Sequence, residues 1–207
     1  MIKLYYRPGA CSLAPHIALE FIGQPYEAEL AQRDSTAILE LNPAGAVPIL
    51  DTGEGWILTQ AAAILQYLDK RFPEAKLGST GDLKHDSELT RWASFLTGDL
   101  HPAFYPIYFP NRYTVSTKEE DLENVKQAAL KIIRRKLAVI EQHLDKKDYM
   151  VGANLTYVDI YLFPMLRWAK FQLADDGGLK NYTNIERLFA KLKHHPVFTK
   201  TLELESK

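Results

Sequence analysis

The only cysteine of the chain, Cys11, lies between a turn and the predicted start of a helix. Arg7-Pro8-Gly9-Ala10 has turn composition, and Ser12-Leu13-Ala14-Pro15 has the composition of a first helical turn. Unpaired N–H groups and the positive end of the helix dipole favour a thiolate, so the position predicts a Cys11 pKa below ~8.5. The Ser12 hydroxyl adds a polar group at the same place, and a bound thiol ligand would experience the same field. The alternative interpretation is an unreactive, buried cysteine.

Two other short segments could bind an extended peptide that ends in a carboxylate. Val47-Pro48 begins the apolar run "VPIL", and a cis bond there would turn the Val47 N–H and C=O outward to pair with a peptide backbone. An edge strand that begins at proline is the alternative. Gln60 and Ala61 open a predicted helix after Thr59, the predicted cap, and free N–H groups at such a start bind carboxylates. An ordinary capped amphipathic helix is the alternative there.

Strand and helix signals alternate in the first third of the chain, which contains Cys11, Val47-Pro48 and Gln60-Ala61. Their order is predicted to be β-α-β-α-β-β-α, which indicates a small α/β sandwich. The segments are "IKLYY", "SLAPHIALEFI" ending before Gly23, "YEAEL", "TAILEL" capped by Asp34 or Ser35, "VPIL", "WIL" and "QAAAILQYLDKRF".

The segment "PEAKLGSTGD", residues 73–82, is rich in turn residues and is the predicted linker between two domains, 1–76 and 83–207. The second domain is predicted to be all-helical, with helices near 83–108, 118–144, 156–170 and 184–194. Pro102, Pro106 and Pro110 should bend or end the first of these. Thr156 and Asp159 have the spacing of a helix capping box, which indicates a structural role.

Composition narrows the possible functions and location. The chain has 207 residues and a net charge of −1, so it lacks the basic field that nucleic acid or an anionic membrane surface requires. A single cysteine forms no internal disulfide, and Lys3 and Arg7 interrupt what would be a signal peptide. We therefore expect a cytoplasmic protein with no nucleic-acid or membrane partner. His194-His195 are adjacent and lack zinc-ligand spacing, so no metal site is predicted.

Three N-terminal segments, taken in order, carry a family resemblance. "YYRPGACSLAPHIALE", "LNPAGAVPIL" and "ILTQAAAILQYL" resemble the N-terminal domain of cytosolic glutathione transferases. Cys-Ser after a Pro-Gly turn is most similar to the bacterial beta class. "FLTGDLHPAFYPI" and "GANLTYVDIYLFPMLRWA" resemble the helical C-terminal domain of that family, so the resemblance covers nearly the whole chain.

The resemblance implies an α/β thioredoxin-like domain packed on an all-α helical bundle domain, usually in a homodimer. It implies glutathione as co-substrate, lying extended against Val47-Pro48. The γ-glutamyl end would reach Gln60 and the Ala61 backbone, and the sulfur would lie near Cys11 and Ser12.

Some of the matched positions depart from the pattern of the class. His101 matches a histidine that the beta class contributes from its first long helix, but Pro102 replaces the lysine that follows it. Gln60-Ala61 replaces Glu-Gly, and Arg33 is the one cation in the segment after the second strand, where the class has lysines. Each of these replacements removes a charge or a hydrogen-bond donor from the implied glutathione site.

The implied activity is attack of the glutathione thiolate on a small, apolar electrophile in the cleft between the domains. Tyr105, Tyr108 and Trp168 are candidates for the apolar wall of that cleft, with core packing as the alternative for Trp168. Two other functions remain open. One is glutathione-dependent thiol–disulfide exchange with Cys11 as nucleophile, and the other is non-catalytic binding by a protein that retains the fold.

Overall fold

The computed structural model describes residues 1–33 and 35–206. Its sheet contains β1 (Ile2–Tyr6), β2 (Tyr26–Leu30), β3 (Ile49–Asp51) and β4 (Ile57–Thr59), in the spatial order β2-β1-β3-β4. β1 pairs parallel with β2 and antiparallel with β3, and β3 pairs antiparallel with β4. The parallel pair requires a crossover, which the first helix supplies.

Helices cover both faces of this sheet: α1 (Leu13–Ile22) and α3 (Ala61–Arg71) on one face and α2 (Thr36–Leu41) on the other. Side chains alternate along a strand, so Leu50 joins the large core with α1 and α3 while Ile49 packs with Ile38 of α2. The layers confirm the predicted thioredoxin-like α/β sandwich.

The starts and ends of these helices follow the local sequence with one exception. Ser35 caps α2, its side chain accepting a hydrogen bond from the Ile38 N–H, while the alternative cap Asp34 lies outside the described residues. Gly23 ends α1 in the left-handed conformation, with φ of 72°. Thr59 does not cap α3, because it is the last residue of β4; the cap position is Gln60.

The rest of the chain is helical, which confirms the all-α expectation. Its elements are α4 (Leu83–Phe95), α5 (His101–Ala103), α6 (Tyr105–Tyr108), α7 (Glu119–His143), α8 (Tyr157–Gln172), α9 (Thr183–Lys193) and α10 (Pro196–Glu205). A π-helical segment, Leu96–Leu100, separates α4 from α5.

The helix predicted near 83–108 is divided into α4, the π-helical segment, α5 and α6, which agrees with the expectation that its prolines bend or end it. One helix of this half lies outside the prediction. Helix α10 was not predicted, although Pro196 at its first turn and His195, which accepts a hydrogen bond from the Val197 N–H, are ordinary start signals.

Helix α8 is the buried centre of the second half, and the predicted capping box begins it. Asp159 is fully buried and accepts hydrogen bonds at 2.8 Å from the Met150 N–H, the Thr156 N–H and the Thr156 hydroxyl. These bonds satisfy donors that would otherwise be buried without partners.

The two halves share one hydrophobic core that runs from β1 and α1 to α8 and α9. Helix α1 packs on α8 and α10, and a buried His16–Glu205 contact of 2.9 Å joins α1 to α10. The domain ranges 1–76 and 83–207 remain predictions, and Lys207 lies outside the described residues. Over residues 1–33 and 35–206, no helix combines the length and apolarity that crossing a membrane requires.

Candidate active site

A cleft of about 580 Å³ lies between the sheet domain and the helical half. Its sheet-domain wall includes Cys11, Arg33 and Val47, and its helical wall includes His101. The structure therefore brings these four predicted residues together. They come from four separate parts of the chain: the turn before α1, the segment after β2, the segment before β3, and α5.

Cys11 lies just before α1, whose cap position is Ser12, and its Sγ is 3.5 Å from the Val47 carbonyl oxygen. The N–H groups of Leu13 and Ala14 donate to the carbonyls of Ala10 and Cys11, so neither is free for a thiolate. Burial raises the pKa of Cys11 to about 12, and the opposing effect of its own backbone N–H is smaller. The sequence-based expectation of a lowered pKa is therefore wrong, because loss of hydration outweighs the helix start.

Ser12 does not line the cleft. It is 0% exposed, and its hydroxyl accepts from the Arg7 N–H at 3.0 Å and donates to the Arg7 carbonyl at 3.2 Å. Both bonds close the turn that carries Cys11, and Gly9 within that turn has a φ of 75°. The Ser12 hydroxyl is therefore bonded within the turn, and its contact with a ligand sulfur stays a prediction.

The two segments that the sequence predicts to bind an extended peptide lie where β3 begins and β4 ends. The Val47–Pro48 bond is cis, as predicted. The register pairs Ile49 with Thr59, which places buried Pro48 beside exposed Gln60. Gln60 has φ of 73°, unusual for a residue with a side chain, and the first helical bond of α3 runs from the Ile64 N–H to the Gln60 carbonyl.

Ala61 is 5% exposed and is the first residue of α3. The N–H groups of residues 61–63 precede the hydrogen-bond ladder of this helix, which is the arrangement that binds anions at helix starts. Gln60 and Ala61 lie outside the 580 Å³ cleft, at the neighbouring end of the same edge.

His101 faces Cys11 from the helical wall of the cleft. Its Nδ1 is 3.1 Å from the Tyr161 hydroxyl, and its ring lies 5.2 Å from that of Trp168. Burial lowers the pKa of His101 to about 4, so the imidazole is neutral at physiological pH. It can exchange a hydrogen bond with a ligand, but it brings no positive charge to a thiolate.

Aromatic rings complete the helical wall. Tyr105, Tyr108 and Trp168 all line the cleft, as predicted. Trp168 is half-buried, and its indole N–H donates to the Gly9 carbonyl at 2.8 Å, which ties the helical half to the Cys11 turn. The Trp168 ring therefore borders the cleft and also joins the two halves.

Comparison with known proteins identifies the family. The family models that match are "Glutathione S-transferase, N-terminal domain" over residues 10–76 and "Glutathione S-transferase, C-terminal domain" over residues 100–196. Glutathione S-transferase GST-4.5 of Xanthomonas campestris pv. campestris is 38% identical over 183 residues, which are 86% of this chain and 87% of that protein. The chain belongs to the glutathione S-transferase family.

Solved structures of bacterial glutathione S-transferases superpose over almost the whole transferase. A beta-class enzyme from Sphingomonas chungbukensis is 33% identical, with a TM-score of 0.83 and 98% of each chain covered. A sphingomonad glutathione S-transferase complexed with glutathione is 32% identical, with a TM-score of 0.83, and covers 99% of this chain and 98% of its own. The resemblance to the family, and to its beta class, is thereby confirmed.

Several residues of the transferase's cleft were not predicted from sequence. Arg7, Phe104 and Phe109 line it, and a second cavity of about 370 Å³ adjoins it and shares the side chains of Arg7, Arg33 and Tyr105. The signal that could have found the aromatic members is the regular spacing of rings in "HPAFYPIYFPNRY". The recruitment of Arg7 had no local signal, because it depends on how the turn folds against residues 31 and 45.

Proposed function

We propose that this transferase joins the glutathione thiolate to small electrophiles that have an apolar body. The observation that carries the proposal is the cleft itself, where the Cys11 turn and the Val47 edge face an aromatic wall. A tripeptide thiol on one wall and an apolar electrophile on the other would meet at the sulfur. Catalysis then consists of positioning a thiolate beside its target.

Glutathione would lie extended along the Val47–Pro48 edge. Its γ-glutamyl carboxylate would accept from the N–H groups that begin at Ala61, and the Gln60 side chain would accept from its amino group. Arg33, exposed at the other end of the cleft, would bind the second carboxylate of glutathione. This orientation places the ligand sulfur between Cys11 and His101.

The chemical step is a substitution or addition at an electrophilic carbon. For an aryl chloride, the sulfur of the thiolate forms a C–S bond, the C–Cl bond breaks, and chloride leaves with the bonding electrons. The thiol proton has already passed to solvent. Cys11 remains protonated at physiological pH, so its S–H can donate to the ligand thiolate without competing as a second negative charge.

Neutral His101 is the second uncharged hydrogen-bonding group at this position. Its ring can exchange a hydrogen bond with the sulfur or with the electrophile, and it is oriented by the Tyr161 hydroxyl. Ser12 contributes through the turn that holds Cys11.

Thiol–disulfide exchange through Cys11 is the second candidate, because this thiol is partly exposed in the cleft. Exchange needs a thiolate, and the raised pKa of Cys11 opposes its formation. Non-catalytic glutathione binding is the third candidate, motivated by the uncharged Gln60-Ala61 pair.

Three measurements separate these functions: conjugation of chlorodinitrobenzene, glutathione-dependent reduction of a small disulfide, and calorimetric titration with glutathione. Conjugation that survives in Cys11→Ala supports the proposal. Disulfide reduction that exceeds conjugation and disappears in Cys11→Ala supports exchange instead. Glutathione binding with neither activity supports the binding protein.

We further infer that the transferase works as a cytoplasmic homodimer in detoxification. A single, unpaired cysteine suits a reducing compartment, and the family resemblance supports the dimer. Light scattering of the purified protein tests the dimer directly.

A further inference from the structure

We propose that the electrophile of this transferase carries a carboxylate, and that Arg112 binds it. The proposal rests on the proposed function and names the substrate class of the same site. The decisive feature is the 370 Å³ cavity that adjoins the main cleft, because every charged side chain that lines it among the described residues is an arginine: Arg7, Arg33 and Arg112. The chain as a whole has a net charge of −1, so this positive rim is local.

The three arginines have different roles. The Arg7 guanidinium is committed to the protein, since it donates to the Ala31 carbonyl at 3.0 Å and the Gly45 carbonyl at 3.2 Å. Arg33 is assigned above to a carboxylate of glutathione. Arg112 is exposed, and among the described residues no carboxylate forms an ion pair with it.

Arg112 is held in place by stacking. Its guanidinium carbon lies 4.4 Å from the centre of the Phe109 ring, which is a cation–π contact. This contact orients the planar fork while leaving its N–H groups available, and such a fork matches a carboxylate in a bidentate arrangement. An acidic ligand group would therefore meet a cation whose orientation is already restricted.

The aromatic wall connects the sulfur position to Arg112. Tyr105 and Phe109 line both cavities, so one continuous apolar surface runs from the Cys11 cleft to the arginine rim. An aromatic electrophile stacked on this surface, with its reactive carbon at the sulfur, would point its far substituent toward Arg112. A carboxylate at that position would form an ion pair with Arg112. A neutral amide would form no ion pair, so the guanidinium would keep its bound water.

The test compares two electrophiles that share ring, nitro groups and leaving group: a chlorodinitrobenzoate and the matching chlorodinitrobenzamide. For each, kcat/KM is divided by the uncatalysed rate constant with glutathione, which removes the difference in intrinsic reactivity. The acid-to-amide ratio of these values is the readout. We expect Arg112→Ala to lower this ratio about fivefold, as the loss of an ion pair at an exposed site predicts.

Two further variants control the experiment. Arg112→Lys should retain part of the acid preference, because it keeps the charge but not the fork. Arg135→Ala removes an exposed arginine of α7 outside both cavities and should leave the ratio unchanged.

An acid-to-amide ratio that is the same in Arg112→Ala and in the parent protein overturns the inference while leaving the proposed function intact. A raised KM for glutathione in Arg112→Ala, with both electrophiles affected equally, also overturns it, since Arg112 would then bind the glutathione carboxylate.

If neither electrophile is conjugated, the proposed function fails. Quenching of tryptophan fluorescence by dinitrobenzoate and dinitrobenzamide then decides about Arg112: binding that prefers the acid and weakens in Arg112→Ala supports its role, and equal binding refutes it.

Discussion

Alkylation of Cys11 should be slow at neutral pH and should accelerate without a plateau as the pH rises. The structural reason is that the thiol loses hydration in the cleft and gains only its own backbone N–H in return, which raises its pKa to about 12. Cys11 is the only cysteine, so mass spectrometry after reaction with iodoacetamide reports this thiol alone.

The expected slowing of alkylation is the net result of two opposing changes: a smaller ionised fraction of the thiol and a more nucleophilic thiolate. At pH 7.5 an ordinary thiol of pKa ~8.5 is about one-tenth ionised, and a thiol of pKa about 12 is ionised in roughly one molecule in 30,000. The less acidic thiolate is the better nucleophile, and a Brønsted coefficient of about 0.4–0.5 returns a factor of roughly 40. The folded protein should therefore react about 100-fold more slowly than the same chain in denaturant.

The pH profile distinguishes this explanation from simple shielding. Alkylation limited by ionisation rises about tenfold per pH unit through pH 10, since ionisation follows the pKa. Tyr105→Ala removes a side chain of the cleft wall, admits water to the thiol, and should shift the profile about one pH unit lower. Tyr113→Ala, outside the main cleft, is the matched control. A plateau reached between pH 6 and 8 would refute the reasoning and restore the lowered pKa that the helix start suggests.

Three other predictions test separate parts of the structure. Asp159→Ala should lower the free energy of unfolding by on the order of 3 kcal/mol in urea titrations, because three donors lose their buried acceptor; a loss below about 1 kcal/mol would contradict this. His101 should stay neutral in NMR titrations from pH 8 down to 5, since its folded pKa is about 4. That pKa is depressed, so the stability it contributes is present above ~6.5 and is lost as pH falls toward 4, and His101→Gln should flatten this decline. Ala61→Ser should tighten glutathione binding about fivefold by calorimetry, because a hydroxyl would join the N–H groups at the start of α3; equal or weaker binding would mean that the γ-glutamyl end lies elsewhere.

The sequence predicts most of the fold because its signals for α1, α2 and the sheet are local. Alternating apolar residues in short runs identify the strands, and Gly23 and Ser35 mark helix ends within one or two residues. The prolines predict that the helix near 83–108 is interrupted, but not the π-helical segment Leu96–Leu100 that precedes them. Leu96 and Leu100 are buried, and the segment contacts α7 and α8, which are distant in sequence.

The site shows the same division between local and distant effects. Placement of Cys11 beside Val47 and opposite His101 follows from the family resemblance, and the structure brings them to one cleft. The pKa of Cys11 does not follow from its neighbours in sequence, because burial in the folded protein raises it, and the fold also brings the Val47 carbonyl to 3.5 Å from Sγ. The sequence gives no signal for Arg112 for a related reason: that no carboxylate of the described residues forms an ion pair with it is visible only in the folded chain.

Cys11 and His101, which flank the proposed sulfur position, are both neutral at physiological pH. Among the described residues, the cations that line the cleft are Arg7, whose guanidinium donates to two backbone carbonyls, and Arg33, which is exposed. We therefore expect the arginines to act mainly on the carboxylates of the ligands, and Cys11 and His101 to act on the sulfur through hydrogen bonds. The effect of the arginines and the effect of Cys11 can be measured separately. Replacement of Arg33 or Arg112 should change KM for acidic ligands. Cys11→Ala should change the thiol pKa of bound glutathione. A single variant that moved both quantities together would mean that the rim and the sulfur position form one electrostatic unit.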